Sequence, residues 1–323
     1  MKKRIAIVAG GDSDEREISL KSAQTVLDNI DREQFSPYLV DLSKDGWVCH
    51  VNSLKIPINR QDFSVDVDGE HKKFDSAFIT IHGTPGEDGT LQGYFDLIDM
   101  PYSTVSRSAA TLTFNKWMCN KLLRTLGYDC ADSILLRNVS DLSIPDVSKQ
   151  LGYPCFVKPN DSGSSYGVKK VNQETDLMGA VKFAFEYGKE VLIESFLEGV
   201  EVSNGVYSDK GLVKVLPITE IVTQNEFFDY GAKYDGESQE ITPARITDQL
   251  SKSVKKITSD IFKTLGLKGM ARIDYMIVKD KPYVIEINTT PGLSPQSFIP
   301  QQVEAEGLTL KEFFTVIINE SLI

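Results

Sequence analysis

Hydrophobic positions along the chain fall into short unbroken runs separated by helical stripes. "KRIAIVAGG" (3–11), "PYLVDLS" (37–43) and "SAFITIHG" (76–83) read as buried strands. Between the first two, Leu20, Ala23, Leu27 and Ile30 recur at helical spacing, and Asp14 and Glu17 have the spacing of a capping box. Strands alternating with helices, with glycine-rich loops at strand ends, predict an open, mostly parallel α/β sheet up to about residue 105. The stretch 46–75 lacks a period and is expected to be irregular, decorating one edge.

Further on, a helix is predicted over about 113–127, around "FNKWMCNKLLRTLG". "PCFVKP" (154–159) and "GVKKVN" (167–172) predict a hairpin whose tip is the glycine- and serine-rich "NDSGSSY". A helix at 175–187 leads to the strand "EVLIESFLEG" (190–199). Residues 219–244 have no clean period, and a loop that long inside a compact domain is more often functional than idle. Leu250, Val254, Ile257, Ile261 and Leu265 mark an amphipathic helix. "ARIDYMIV" and "PYVIEIN" predict a β-pair closed by "TTPGLSPQS".

Composition changes this picture only at its margins. With 323 residues the chain can form two or three domains. A net charge of −11 argues against a nucleic-acid partner, since a phosphate backbone needs a basic face. The apolar run Ile5–Ala9 is too short for a secretory signal, and no stretch approaches membrane-spanning length. The four cysteines are scattered without a CxxC, which reads as reduced, mostly buried thiols, and the three histidines lack zinc spacing. A cytoplasmic protein without a membrane partner is expected.

Chemistry concentrates in two places. "RID" (272–274) and "EIN" (286–288) lie on adjacent predicted strands, and alternation puts Glu286 and Asn288 on one face. Asp274, Glu286 and Asn288 are hard oxygen ligands of the kind Mg²⁺ takes together with phosphate oxygens. An exposed polar sheet face would read similarly, but carboxylates seldom interrupt apolar strands without a partner. The hairpin places Lys158 before a flexible tip rich in N–H and hydroxyl donors, which suits a flap over a nucleotide. It is not a P-loop, because the lysine comes first.

The flap lysine, the acid after "VLI" and the "RID…EIN" pair resemble an ATP-grasp ligase. More narrowly, "GGDSDEREISL" (10–20), "HGTPGEDGTLQG" (82–93), "KPNDSGSSYGV" (158–168), "FFDYGAKY" (227–234), "RID" and "EINTTPGLSPQS" (286–297) resemble, in order, the motifs of D-alanine–D-alanine ligases. That resemblance covers essentially the whole chain and implies three α/β domains, at about 1–105, 106–195 and 196–323. It implies ATP between the second and third domains and the amino acids where all three meet.

Residue by residue, the resemblance implies that Lys116 and Lys158 contact the ATP phosphates, with Ser165 and Phe227 also in the nucleotide site. Glu194, Phe196 and Leu197 would hold adenine, and Glu201 the ribose. Asp274, Glu286 and Asn288 would bind two Mg²⁺ ions, for which Mn²⁺ is the alternative. Glu15 would pair with the ammonium of the first D-alanine near His82, with Ser164 and Tyr234 hydrogen-bonding toward Glu15. Lys233 would approach the transferred phosphoryl group, Arg272 and the Gly292 N–H would form the oxyanion site, and Ser297 with Phe298 would receive the second D-alanine. Residues 219–244 would close over the site. Ser162, Gln296 and Phe298 depart from residues common among relatives and bear on the second pocket. The implied activity is ATP-dependent ligation of two D-alanines for peptidoglycan precursors by a homodimer. A D-alanine–D-lactate or D-alanine–D-serine ligase, or a non-catalytic nucleotide-binding protein of the same fold, is the alternative.

Overall fold

The computed structural model describes residues 2–161, 163, 166–223 and 238–323. Its first part contains β1 (Lys3–Gly10), α1 (Arg16–Asn29), β2 (Phe35–Ser43), β3 (Gly46–Val51), β4 (Leu54–Pro57), β5 (Val65–Val67), β6 (Glu70–Lys72), β7 (Ser76–Ile79) and α2 (Thr90–Leu97). Strands β4-β3-β2-β1-β7 form one sheet. Its centre is parallel, β1 pairing with β2 and β7, and the hairpin of β3 and β4 extends it in antiparallel fashion. The stretch 46–75 is therefore an edge, but a regular one. Phe63, Val65 and Val67 from it pack under the sheet against Val8, Val40 and Phe95, burial that a search for one long period misses.

α1 begins one residue after Glu15, and no side-chain hydrogen bond closes its cap. The expected capping box of Asp14 and Glu17 does not form. Ser13 replaces it: its hydroxyl accepts from the Glu15 amide at 3.3 Å and donates to the His82 carbonyl at 2.8 Å, tying the helix start to the end of the β7 segment. Gly10 and Gly11 take positive φ at the end of β1, and a Cβ on Gly10 would lie 2.4 Å from the Leu42 carbonyl oxygen. The loop can be this tight only with glycine there.

The middle of the chain contains α3 (Arg107–Phe114), α4 (Lys116–Thr125), β8 (Ser133–Leu136), α5 (Ile144–Gln150), β9 (Cys155–Pro159), β10 (Lys169–Val171), α6 (Glu174–Ala184) and β11 (Val191–Ser195). The one helix expected at 113–127 is two, broken where Asn115 leaves helical geometry and its side chain caps α4 by accepting from the Met118 amide at 2.9 Å. The expected hairpin is present as β9 and β10, in a sheet ordered β10-β9-β11-β8.

β12 (Val200–Asp209), β13 (Leu212–Thr223), β14 (Ser238–Ile241), α7 (Asp248–Thr264), β15 (Met270–Val278), β16 (Lys281–Asn288), α8 (Phe298–Ala305) and α9 (Leu310–Ser321) complete the described chain. The third sheet, ordered β14-β13-β12-β15-β16, is antiparallel throughout. One face carries Ile273, Tyr275, Ile277, Val202 and Ile287 into a core with Val254 and Ile261 of α7 and with Ala110, Cys119 and Leu123 of α3 and α4. α9 packs Phe313, Phe314, Ile317 and Ile318 against Ile5, Ile7 and Phe78 of the first sheet. The C-terminal helix thus completes the N-terminal core, and the Leu293 amide donates to the buried Ser22 hydroxyl of α1 at 3.1 Å.

Candidate active site

Strand alternation builds the site from two facing surfaces. On the second sheet Lys158 pairs with Leu192, and Phe156 with both Glu194 and Lys170, so Lys158, Glu194, Phe156 and Lys170 share a face. The other face buries Val157, Ile193 and Val191 against α5 and α6. On the third sheet Asp274 is opposite both Ser203 and Glu286, and Arg272 is opposite Asn288, which gathers these polar residues on the side away from the apolar core. α4 spans the two: its Asn120 amide donates to Glu194 at 3.1 Å, and its Lys116 ammonium lies 3.6 Å from Glu286.

The charges are held in a defined arrangement. Lys158 pairs with Glu194 at 2.5 Å, both nearly buried. Arg272 donates through Nε and Nη2 to the two oxygens of buried Asp274, at 3.0 and 2.8 Å. Ser203 Oγ donates to the same carboxylate at 2.6 Å. The Asn288 amide reaches Asp274 at 3.0 Å and Glu286 at 3.5 Å, so the three expected metal ligands converge. Among the described residues no three His, Cys, Asp or Glu side chains gather as a metal cluster. The candidate set is instead two carboxylates and an amide, hard oxygen donors that fit Mg²⁺ completed by phosphate oxygens and water.

A cavity of about 280 Å³ joins this sheet face to the N-terminal sheet. Glu15, His82 and Glu87 line one side, and Arg272, Asn288, Gly292, Ser297 and Phe298 the other. Flap residue Gly163 closes onto it; a Cβ there would lie 2.4 Å from Glu15 Oε2. Arg272 sits 5.1 Å over the Phe298 ring, and Ser297 stands at the start of α8 without a side-chain cap bond, its hydroxyl 2.9 Å from that of Ser294. Phe196 packs against Phe156 and lies under the Lys170 ammonium at 4.7 Å, on the nucleotide side of the cleft expected for Leu197 and Glu201 as well. Ser162, Ser164, Ser165, Phe227, Lys233 and Tyr234, with most of 219–244, lie outside the described residues.

Burial holds the His82 imidazole below its ordinary pKa; Glu15 opposes this and Arg272 adds to it. Among the described residues His82 Nε2 has no hydrogen-bond partner. Sequence reasoning passed over Glu87, although it lies inside the quoted "HGTPGEDGTLQG". Its carboxylate accepts from the Gly83 amide at 2.7 Å, and burial, with Glu15 adding, pushes its pKa up from 4.5 to about 8. The folded protein therefore holds a proton there that the unfolded chain loses near 4.5. The resulting stability is fully present below that value and is lost as pH rises toward about 8. Melting of the ligand-free protein should fall across that interval, and Glu87→Gln should flatten the fall; an unchanged slope in the variant would assign it to other groups.

The polar faces of the second and third sheets, with a glycine-tipped flap between them, define the ATP-grasp fold shared by ligases of known structure. The model of the D-ala D-ala ligase N-terminus matches residues 4–105, and that of the C-terminus residues 122–319. The chain belongs to the D-alanine–D-alanine ligase family. It is 49% identical to the D-alanine–D-alanine ligase of Phocaeicola vulgatus over 99% of both chains. It is 49% identical to that of Parabacteroides distasonis over 100% of this chain and 98% of the relative. Among solved structures, the VanG D-Ala:D-Ser ligase of Enterococcus faecalis superposes with a TM-score of 0.89 at 28% identity, over 99% of this chain and 100% of that one. The D-alanine–D-alanine ligase of Bacillus anthracis complexed with ATP gives 0.81 at 28%, over 99% and 97%. Among the described residues no helix is long and apolar enough to cross a membrane.

Proposed function

We propose that the protein joins two D-alanines to D-alanyl-D-alanine at the expense of ATP, supplying a peptidoglycan precursor. The observation that carries this is the cavity in which Glu15 and His82 from the N-terminal sheet meet Arg272 and the 292–298 segment from the C-terminal one. Near-half identity over the full chain to named D-alanine–D-alanine ligases supports the same substrates.

In this reading the domains are 1–105, 106–195 and 196–323. Adenine lies against Phe196 and Leu197 with Glu194 accepting from its amino group, Glu201 takes the ribose, and Lys158 and Lys116 meet the phosphates. Both lysines now neutralise carboxylates, Glu194 and Glu286, so nucleotide binding exchanges one anionic partner for another. Asp274, Glu286 and Asn288 would hold Mg²⁺, which supplies charge neutralisation for phosphoryl transfer when bound. Glu15 binds the ammonium of the first D-alanine and leaves its carboxylate facing the phosphates. Phosphorylation gives an acyl phosphate; the amine of the second D-alanine, seated by Ser297 and Phe298, attacks its carbonyl carbon and phosphate leaves. Arg272 and the Gly292 N–H stabilise the oxyanion that forms, a role worth about 3–4 kcal/mol per donor in comparable sites. Ser164, Ser165, Phe227, Lys233 and Tyr234 complete the set by resemblance to relatives. The enzyme works in the cytoplasm as a homodimer.

The test is product analysis with Mg-ATP and a panel of D-amino and D-hydroxy acids. D-Alanyl-D-alanine with stoichiometric phosphate is expected. Predominant depsipeptide or D-alanyl-D-serine would move the assignment to a D-lactate or D-serine ligase, and no acceptor-dependent phosphate would reject catalysis.

A further inference from the structure

A further carboxylate enters the cavity from an unexpected strand. Glu240 of β14 pairs with Ile221, which pairs with Glu201, which pairs with Met276. That row lies two residues along from Thr219, Ser203 and Asp274, so Glu240 stands on the same face of the third sheet as the candidate metal ligands. It lines the cavity beside Arg272, Gly292, Gln296, Ser297 and Phe298, at the end expected to receive the second amino acid. Its position is held: the Gln301 amide of α8 donates to Glu240 Oε2 at 2.5 Å and to the Gln296 carbonyl at 2.9 Å. The strand and the acceptor loop are thereby locked together. Among the described residues Oε1 has no hydrogen-bond partner.

We propose that Glu240 binds the amino group of the second amino acid and is a determinant of the preference for an amine over a hydroxyl acceptor. The inference rests on the ligase reading above and deepens it. Burial raises the Glu240 pKa, with the Gln301 hydrogen bond and Arg272 opposing. The remaining charged groups lining the cavity are Glu15, Glu87, Glu286 and Lys21. Arg272 already spends its Nε and Nη2 donors on Asp274, so the incoming ammonium is the cation best placed to satisfy the free Glu240 oxygen. An α-hydroxy acid offers that oxygen only a neutral hydroxyl. Either donor makes a charge-assisted hydrogen bond to the carboxylate, but only the ammonium adds charge–charge attraction, so the same position that binds D-alanine discriminates against D-lactate.

Glu240→Gln tests this, because the new side chain can still accept from Gln301 while carrying no charge. The variant should show a roughly ten- to hundredfold higher KM for the second D-alanine. The KM values for ATP and the first D-alanine and the melting temperature should stay near wild type. In competition with D-lactate its depsipeptide share should rise. Glu240→Asp, with the charge kept and the reach shortened, should restore the amine preference and guards against a variant that misfolds. Equal loss toward both acceptors, or unaltered kinetics, would overturn the inference while wild-type ligation keeps the ligase reading intact. A wild-type protein that releases no phosphate with D-alanine would overturn both.

Discussion

Glu286→Gln is expected to lower turnover by about a hundred- to a thousandfold, the scale of losing one preorganised electrostatic group, while the protein stays folded. The substitution is nearly isosteric. It removes a partly exposed ion pair with Lys116, at 3.6 Å, and weakens the contact with the Asn288 amide at 3.5 Å. Such pairs contribute at most about 1 kcal/mol to stability. What is lost is a carboxylate at the point where Asp274 and Asn288 converge. The check is steady-state phosphate release with saturating Mg²⁺, alongside thermal melting. Near-normal turnover would remove Glu286 from the metal set; a large fall in melting temperature would show that its role is structural.

Lys158→Met has the larger expected effect on stability. Lys158 and Glu194 lie 2.5 Å apart with side chains 11% and 9% exposed, so removing the cation leaves a carboxylate in poor solvent. Breaking a buried pair from one side costs about 3–5 kcal/mol, because the remaining charge is uncompensated. Asn120 still donates to Glu194, which places the expected loss near the lower end. The double variant Lys158→Met/Glu194→Gln should recover most of the loss, and a double-mutant cycle by chemical denaturation measures the coupling. A single-variant loss below about 1 kcal/mol would mean that the pair is solvent-screened. Nucleotide binding should weaken in both variants, since the phosphates then lack the lysine.

The two carboxylates that sequence reasoning passed over share a property. Glu87 and Glu240 sit in segments whose local pattern carries no signal: a glycine-rich turn, and a short edge strand after residues 219–237. Each becomes chemically interesting only because another part of the chain buries it, Glu15 and the Gly83 turn for one, Gln301 of α8 for the other. The misplaced capping box has the same origin, since Ser13 is drawn to His82, a residue sixty-nine positions away.

Strand faces, by contrast, were legible. Period-two alternation is a local steric property, so "FVK", "RID" and "EIN" by themselves determined which residues would point together: Lys158 with Phe156, Asp274 with Arg272, Glu286 with Asn288. The amphipathic stripe of α7 was equally local, and so was the hairpin with its glycine-serine tip. Tertiary structure alone decided which faces oppose each other. The strand order β14-β13-β12-β15-β16, α4 spanning two sheets and α9 returning to the first sheet are set by burial of apolar surface between distant segments. Such burial is non-directional and leaves no local period to read. That is why the ligand triplet could be seen in the sequence, whereas the Lys158–Glu194 pair and the place of Glu240 in the cavity could not.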